Sequence, residues 1–491
     1  MKKPVLWGRQ TVKLAHRIII QTGNEKLTKM ILTNLSKLSC ELHIIVDSKR
    51  NIFVGFEAPP HLNIVSVYEF YKISELKSKN IEIYNKVYNE LISDPRLFFL
   101  AERTFGNLFW RSIFNQFVKI ECAIVNAIEF INKCNPHLFI FLATPHNVTS
   151  WIIGRTAEIM GVRVVVIESA PNHEGLLLYR GIDEQKIIEI EFCKSNSKLS
   201  DHNKNVLRKN RISSNSGAIN KNNYDEDLMF INGYIKKYGS IEKWKLRSEL
   251  KFLSLHPIGI ILDVIHALKK RNLMKLYNDL AVKDLIGDKI ITFFLQFQPE
   301  RTSLPEGAGY AQQWIAIRQL STLLPAQWKL IIREHPSMFT TKFDSSVRDE
   351  DFYKNISKLP NAELSSLSIS VREVIEKSSI IVTLTGDVGF QALMRGKKVI
   401  ALGCASYSNH ENCYRVRNFT ELKDVMAEES IFKQNTNLRN NIRYLKYITK
   451  YVYPFQKGDY WESRYKAMVD ISVEIINKAS LLDKLIREVI K

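Results

Sequence analysis

Three stretches in the second half of this 491-residue chain gather residue types that handle anionic ligands. The first is Gln296-Phe-Gln-Pro-Glu-Arg-Thr-Ser303, followed by Pro305-Glu-Gly-Ala-Gly309. The second is Arg333-Glu-His-Pro336, and the third is Thr385-Gly-Asp-Val-Gly389. Thr385-Gly386-Asp387 reads as a helix opening, whose exposed N–H groups and dipole suit a phosphate, and Gly386 and Gly389 let a ligand approach the backbone. His335, kept from continuing into a helix by Pro336, can donate to a phosphate oxygen or a departing nucleotide. Glu300 is a candidate base or nucleophile, with Arg301 or Arg333 neutralising a phosphate or carboxylate. Singly, each is also an ordinary turn residue with a locally satisfied side chain. The functional reading rests on their joint placement.

That placement follows from the elements around them. Strands are predicted at Ile290–Gln296, Trp328–Ile332, Ala362–Leu364, Ile380–Leu384 and Lys398–Leu402, with helices at 312–324, 371–377 and 388–395 between them. Such alternation predicts a doubly wound α/β domain, in which ligands bind outside the carboxyl ends of the strands. All three stretches lie at those ends. The first half of the chain repeats the pattern: a strand at Cys40–Val46, a helical stretch over roughly 97–133, and a strand at Pro136–Leu142. A helix at Trp151–Met160 with Ser150 as its cap and a strand at Val162–Ile167 complete a parallel βαβ unit. Between the halves, 194–223 is polar and rich in Lys and Arg, with Asp201 as its one acidic residue. It reads as an insertion or as a basic grip on an anionic acceptor or lipid. The tail from Tyr460 to Lys491 reads as amphipathic helices.

Composition narrows the function classes. With 45% hydrophobic and 25% charged residues the chain can bury large cores, which excludes global disorder. No apolar run approaches the ~18 residues of a membrane span, and Gly8, Arg9 and Gln10 interrupt any export signal. Lys and Arg number 70 against 51 Asp and Glu, a net charge of +19 that favours anionic partners without identifying them. The six scattered cysteines contain no C-x-x-C, so a disulfide framework is not expected and a reducing cytoplasm is. Asp225-Glu-Asp227 and Asp349-Glu-Asp351 have the spacing of a metal-holding D-x-D but sit in polar surroundings. Cys404, His410 and Cys413 lack a fourth ligand for zinc. No P-loop, dinucleotide fingerprint, nucleophile elbow or nucleic-acid-binding signature occurs.

Phe294-Leu-Gln-Phe-Gln-Pro-Glu-Arg-Thr-Ser303, Tyr310-Ala-Gln-Gln-Trp314, Leu324-Pro and Ile332-Arg-Glu-His-Pro336 together resemble the bacterial capsule polysaccharide biosynthesis proteins. So does the stretch from Val382-Thr-Leu-Thr-Gly-Asp-Val-Gly-Phe-Gln391 to Ile400, followed by Leu402-Gly403 and Tyr407. That superfamily includes Kdo transferases of capsule lipid-linker synthesis and is similar in layout to GT-B sialyltransferases with an HP motif. The resemblance implies two Rossmann-like domains with C-terminal helices crossing back. With the two βαβ-type stretches flanking the polar basic segment, the expected domains are an acceptor-side domain over 1–280, a nucleotide-sugar-binding domain over 285–455 and C-terminal helices over 456–491. It makes His335 the donor-phosphate histidine and Thr385-Gly386 the phosphate turn, with Gln298, Arg301, Arg333, Asp387, Gly389, Gln391 and Tyr407 around the donor. His146, in Thr144-Pro-His146, falls on the acceptor side. Asp387 stands where relatives often have a hydroxyl residue and Gln391 where they often have Glu; Asp387 is therefore expected to cap the helix or bind a sugar hydroxyl.

The expected activity is metal- and cofactor-independent transfer of a CMP-activated acidic sugar, Kdo- or sialic-acid-like, to a glycan or glycolipid in capsule or surface polysaccharide synthesis. The alternatives are a UDP-sugar transferase or nucleotide-sugar epimerase on the same fold, or a non-catalytic assembly or export protein. The expected location is the cytoplasm, with salt-sensitive attachment to the inner membrane face and no nucleic-acid partner.

Overall fold

Continuously apolar strands must be covered on both faces, and the chain does this with two separate sheets, one mostly and one wholly parallel. The computed structural model describes residues 17–22, 25–35, 40–46, 62–105, 113–171, 175–183, 186–190, 257–298, 300, 302–339, 348–433, 438–455 and 460–477. They form two units, one of the described residues up to 190 and from 451 on, the other of those between 257 and 450.

In the first unit β1 (Arg17–Thr22), β2 (Glu41–Val46), β3 (Leu62–Ser66), β4 (Leu138–Phe141) and β5 (Arg163–Ser169) run parallel in the order β3-β2-β1-β4-β5. Ile19 lies opposite both His43 and Phe139 in the register. Beyond β5 the sheet continues antiparallel through β6 (Gly175–Arg180) to a short strand Tyr453–Pro454, while β7 (Lys186–Ile187) also pairs β6. That last strand belongs to the returning C-terminus. The helix Tyr460–Asn477 after it packs on the helix Glu25–Leu35, with Met468, Ile471 and Ile475 buried in the same core as Ile31 and Leu35.

The second unit holds six parallel strands: β8 (Ile290–Phe294), β9 (Lys329–Arg333), β10 (Ala362–Leu364), β11 (Ile380–Thr383), β12 (Lys398–Ala401) and β13 (Cys413–Arg415). Their order, β10-β9-β8-β11-β12-β13, is that of a doubly wound Rossmann sheet. The topological switch point lies between β8 and β11. Helices Gln313–Leu323, Val371–Lys377 and Asp387–Met394 connect the strands. The fold class is therefore α/β with two Rossmann-like domains.

Several boundaries differ from the sequence reading. The helix Pro257–Leu280, assigned there to the first domain, packs on the second: Tyr277 is fully buried and donates to Ser365 O at 2.6 Å, and Lys270 Nζ donates to Met338 O at 2.9 Å. Residues 451–455, assigned to the second domain, join the first sheet. The helix expected at Trp151 begins at Val148, because Asn147 is its cap and accepts the Ser150 N–H at 2.8 Å. The long stretch over 97–133 contains two helices, Arg96–Phe105 and Ile113–Cys134. The basic insertion 194–223, Asp225-Glu-Asp227, Cys193, Gly8–Gln10 and the tail beyond 477 lie outside the described residues. No helix among the described residues is long and apolar enough to cross a membrane.

Candidate functional site

The chain leaves β8 at Phe294 and forms a tight crown over the switch point. Glu300 O accepts the N–H groups of Ser303 and Leu304 at 3.1 and 3.0 Å, and the Ser303 hydroxyl also donates to it at 2.8 Å. This knot presents the Glu300 side chain to solvent. Its Oε2 accepts the Thr302 hydroxyl at 2.8 Å, and Thr302 Oγ1 in turn accepts Gln296 Nε2 at 2.9 Å. From the neighbouring strand end, Thr385 Oγ1 donates to Thr302 O at 2.8 Å. The loops after β8 and β11 are thereby tied together. Pro299 and Arg301 lie outside the described residues.

After β11 the chain passes Gly386, which caps the helix Asp387–Met394 in extended conformation. A Cβ on Gly386 would lie 2.9 Å from Gln296 Oε1 and 3.0 Å from Thr383 Oγ1, so a side chain here would have to displace the Gln296 amide. Asp387 is exposed in the first helical turn and Gln391 is exposed one turn on. A carboxylate there complements the helix dipole.

His335 follows β9, half-buried beside Phe297, with the ring centroids 5.8 Å apart. Its Nδ1 accepts the Ser337 N–H at 3.2 Å. In the neutral ring the proton therefore resides on Nε2, leaving that nitrogen as a donor. Burial pulls its pKa below the ordinary value of 6.5, against the opposing pull of the Glu334 and Glu300 carboxylates. The preceding residue, Glu334, is the anchor. It is 1% exposed, and its Oε1 accepts the His335 N–H at 2.7 Å. Its Oε2 accepts Arg348 Nε at 2.9 Å and the Tyr353 hydroxyl at 2.8 Å. Arg348 also donates to Gln298 Oε1 at 3.0 Å and lies over the Phe352 ring.

The structure thus brings Glu300, His335, Thr385, Gly386 and Asp387 to adjacent strand ends at the switch point. Four other expected donor-binding residues have different work. Gln298 is buried, accepting from Arg348 and Gln313 and donating to Ala311 O at 2.7 Å. Arg333 is also buried; it donates to Ser366 O at 2.8 Å and Ile369 O at 2.7 Å, clamping the loop after β10. Tyr407 is fully buried and donates to Gly386 O at 2.6 Å. Gly389 is kept small by the Tyr407 ring, not for ligand approach. Thr302 and Gln296, both within the 294–303 stretch, have linking roles that their residue types alone do not signal.

Elsewhere, His146 is exposed after β4 in the first unit, and its carbonyl accepts from Arg103. Asp349 caps the helix Glu350–Ser357, accepting the Phe352 N–H at 2.8 Å, and Glu350 pairs with Lys354, so this D-x-D serves local helix structure. Both His410 nitrogens are engaged, one with Asn441 and one with the Asn412 N–H, and burial pushes the Cys413 thiol up to about 12. Among the described residues no three His, Cys, Asp or Glu side chains gather as metal ligands.

The chain resembles in fold a beta Kdo 2,7 transferase, KpsC of Thermosulfurimonas dismutans, at 12% identity, covering 76% of this chain and 95% of that one with a TM-score of 0.30. It also resembles a UDP-GlcNAc 2-epimerase from Methanocaldococcus jannaschii, at 13% identity, covering 88% and 99% with a TM-score of 0.25. No curated protein matches it. These distant likenesses assign no activity. Residues 316–411, from the helix before β9 through His335, Thr385-Gly386 and Tyr407, match the family described as capsule polysaccharide biosynthesis protein. That segment, about a fifth of the chain, is similar to the capsule polysaccharide biosynthesis family and includes the second and third motif stretches.

Proposed function

We propose that the protein is a glycosyltransferase of capsule or surface polysaccharide synthesis, and that its switch-point crevice holds a nucleotide-sugar donor. The observation that carries this is the placement of the His335 ring and the Gly386–Asp387 helix start at the ends of β9 and β11, the two strands that flank β8 in a wholly parallel sheet. Both offer N–H groups where a leaving phosphate needs them. The acceptor hydroxyl attacks the anomeric carbon, the bond from that carbon to the phosphate oxygen breaks, and its electron pair leaves with the nucleotide. The acceptor's proton passes to Glu300, which is exposed beside this rim. The electrostatic pull of Glu300 on His335 agrees with the two sharing one site.

The donor we favour is a CMP-activated acidic sugar, used without a metal or resident cofactor, and the acceptor is a glycan or glycolipid. The net charge of +19 supports an anionic donor and peripheral contact with an anionic inner membrane face. The test is a thermal-shift panel of CMP, UDP and GDP. A selective rise in Tm with CMP is expected. A response to UDP alone overturns the donor, and donor turnover without any acceptor points to an epimerase. No response to any nucleotide overturns the enzyme reading in favour of an assembly or export protein.

A further inference from the structure

The first unit contains a cleft of about 420 Å³ lined by none of the strand-end residues described above. It opens between the segment after β3 and the last turns of the helix Ile113–Cys134. Its floor is apolar: Phe130 stands edge-on to Phe70 and to His43, with centroids 5.5 and 6.0 Å apart, which fixes the ring. Its walls carry amides. Asn126 Nδ2 donates to Phe70 O and Lys72 O at 3.0 and 2.7 Å, which leaves its Oδ1 as an uncommitted acceptor. Asn80 is 5% exposed, and its Oδ1 accepts Asn132 Nδ2 at 3.2 Å, which leaves its Nδ2 as an uncommitted donor. Around them stand the ammonium groups of Lys77, Lys79 and Lys133 against the carboxylates of Glu69 and Glu129.

A fixed aromatic ring with amide donors and acceptors beside it suits the apolar face and the hydroxyl edge of a pyranose. The one surplus positive charge suits an anionic substituent. Lys77 pairs with Glu129 at 2.9 Å, but Lys77 is more than half exposed, and such a pair is weak enough to exchange for a ligand anion. We propose that this cleft binds a segment of acidic glycan, pyranose units carrying carboxylate or phosphate groups, as a site separate from the transfer centre. Its occupant is inferred from the cleft's own groups and does not rest on the proposed transfer reaction.

The test is titration of the full-length protein with tetrasaccharides containing hexuronate, sialate or phosphosugar units, with maltotetraose and inorganic phosphate as comparisons. At least one acidic tetrasaccharide binds, and Lys79→Glu or Lys133→Glu weakens it at least tenfold. Both lysines are exposed, and a Tm close to the parent's shows that a variant's weaker binding is not unfolding. Binding persists in His335→Ala and under saturating CMP. The proposal is overturned if no acidic tetrasaccharide binds, or if maltotetraose or inorganic phosphate binds as tightly. It is equally overturned if the lysine variants bind unchanged, or if His335→Ala or CMP abolishes binding, which would place the glycan at the strand-end site.

Discussion

Gly389 and Tyr407 are in direct contact: a Cβ on the glycine would lie 2.5 Å from the tyrosine Cζ, well inside van der Waals distance. The ring cannot retreat, because Tyr407 is fully buried and its hydroxyl is bonded to Gly386 O. The pair packs the first turn of the helix Asp387–Met394 against the loop after β12, which sets where the helix N-terminus opens. Gly389→Ala therefore destabilises the protein by about 1–3 kcal/mol, as overpacking a rigid core does. Tyr407→Ala in the same chain relieves the clash, so the double variant is less destabilised than the sum of the two. Urea denaturation of the four proteins measures this, and strict additivity would show that the contact is not the cause.

Arg348 is held by the carboxylate of Glu334, and both side chains are almost wholly buried. Removing one partner of a buried ion pair strands the other charge. Arg348→Met should cost about 3–5 kcal/mol, whereas Arg348→Met combined with Glu334→Gln costs less than the single change. Since Glu334 also holds the His335 backbone N–H, the single variant should lose nucleotide binding along with stability. Retention of full nucleotide affinity in Arg348→Met would separate this anchor from the site.

His335 gives a stability contribution with a defined sign. Burial lowers its folded pKa below its ordinary 6.5, so the unfolded chain takes up the proton first as pH falls. The contribution is fully present above the unfolded value and is lost as pH drops through 6.5 toward the folded pKa. Other histidines shift the same way, so the measurement is a difference: the stability of the parent minus that of His335→Gln, followed from pH 8 to pH 5. The difference should be constant above about pH 7.5 and should shrink below 6.5. A flat difference over the whole range would mean that the ring protonates equally in both states.

Five of the six strands in the second domain were legible as short runs rich in apolar residues, whereas β13, Cys413-Tyr-Arg415, has no such run and was missed. Ile380–Thr383 and Ala362–Leu364 fall where the runs lie. The location of a site at the strand ends follows from the same pattern. The work of individual polar residues there was not legible. Arg333 binds carbonyls 33 to 36 positions away, and Gln298 meets Arg348 across 50 positions. An arginine or glutamine next to a strand end reads the same in sequence whether a ligand or a distant loop satisfies it. Thr302 illustrates the converse: its link to Thr385 exists only once β8 and β11 are neighbours in the sheet.

Glu300 combines an exposed carboxylate with a backbone held by three hydrogen bonds to its own carbonyl. Such a mounting keeps the carboxylate oriented while leaving it open to an incoming acceptor. Glu300→Gln preserves shape and can still accept from the Thr302 hydroxyl, but it removes charge and basicity. If Glu300 receives the acceptor proton, turnover should fall about 100-fold or more while donor binding stays within about twofold. His335→Ala should instead weaken nucleotide binding and turnover together, because its Nε2–H is assigned to the donor phosphate. The alternative role for Glu300 is electrostatic support of His335, and pH separates the two. As a base, it leaves the rate of Glu300→Gln low at every pH. As a support, it only shifts the pH at which the His335 limb of the profile falls. Near-normal turnover in Glu300→Gln would remove it from the chemistry and make Asp387, exposed at the helix start across the same rim, the next carboxylate to replace.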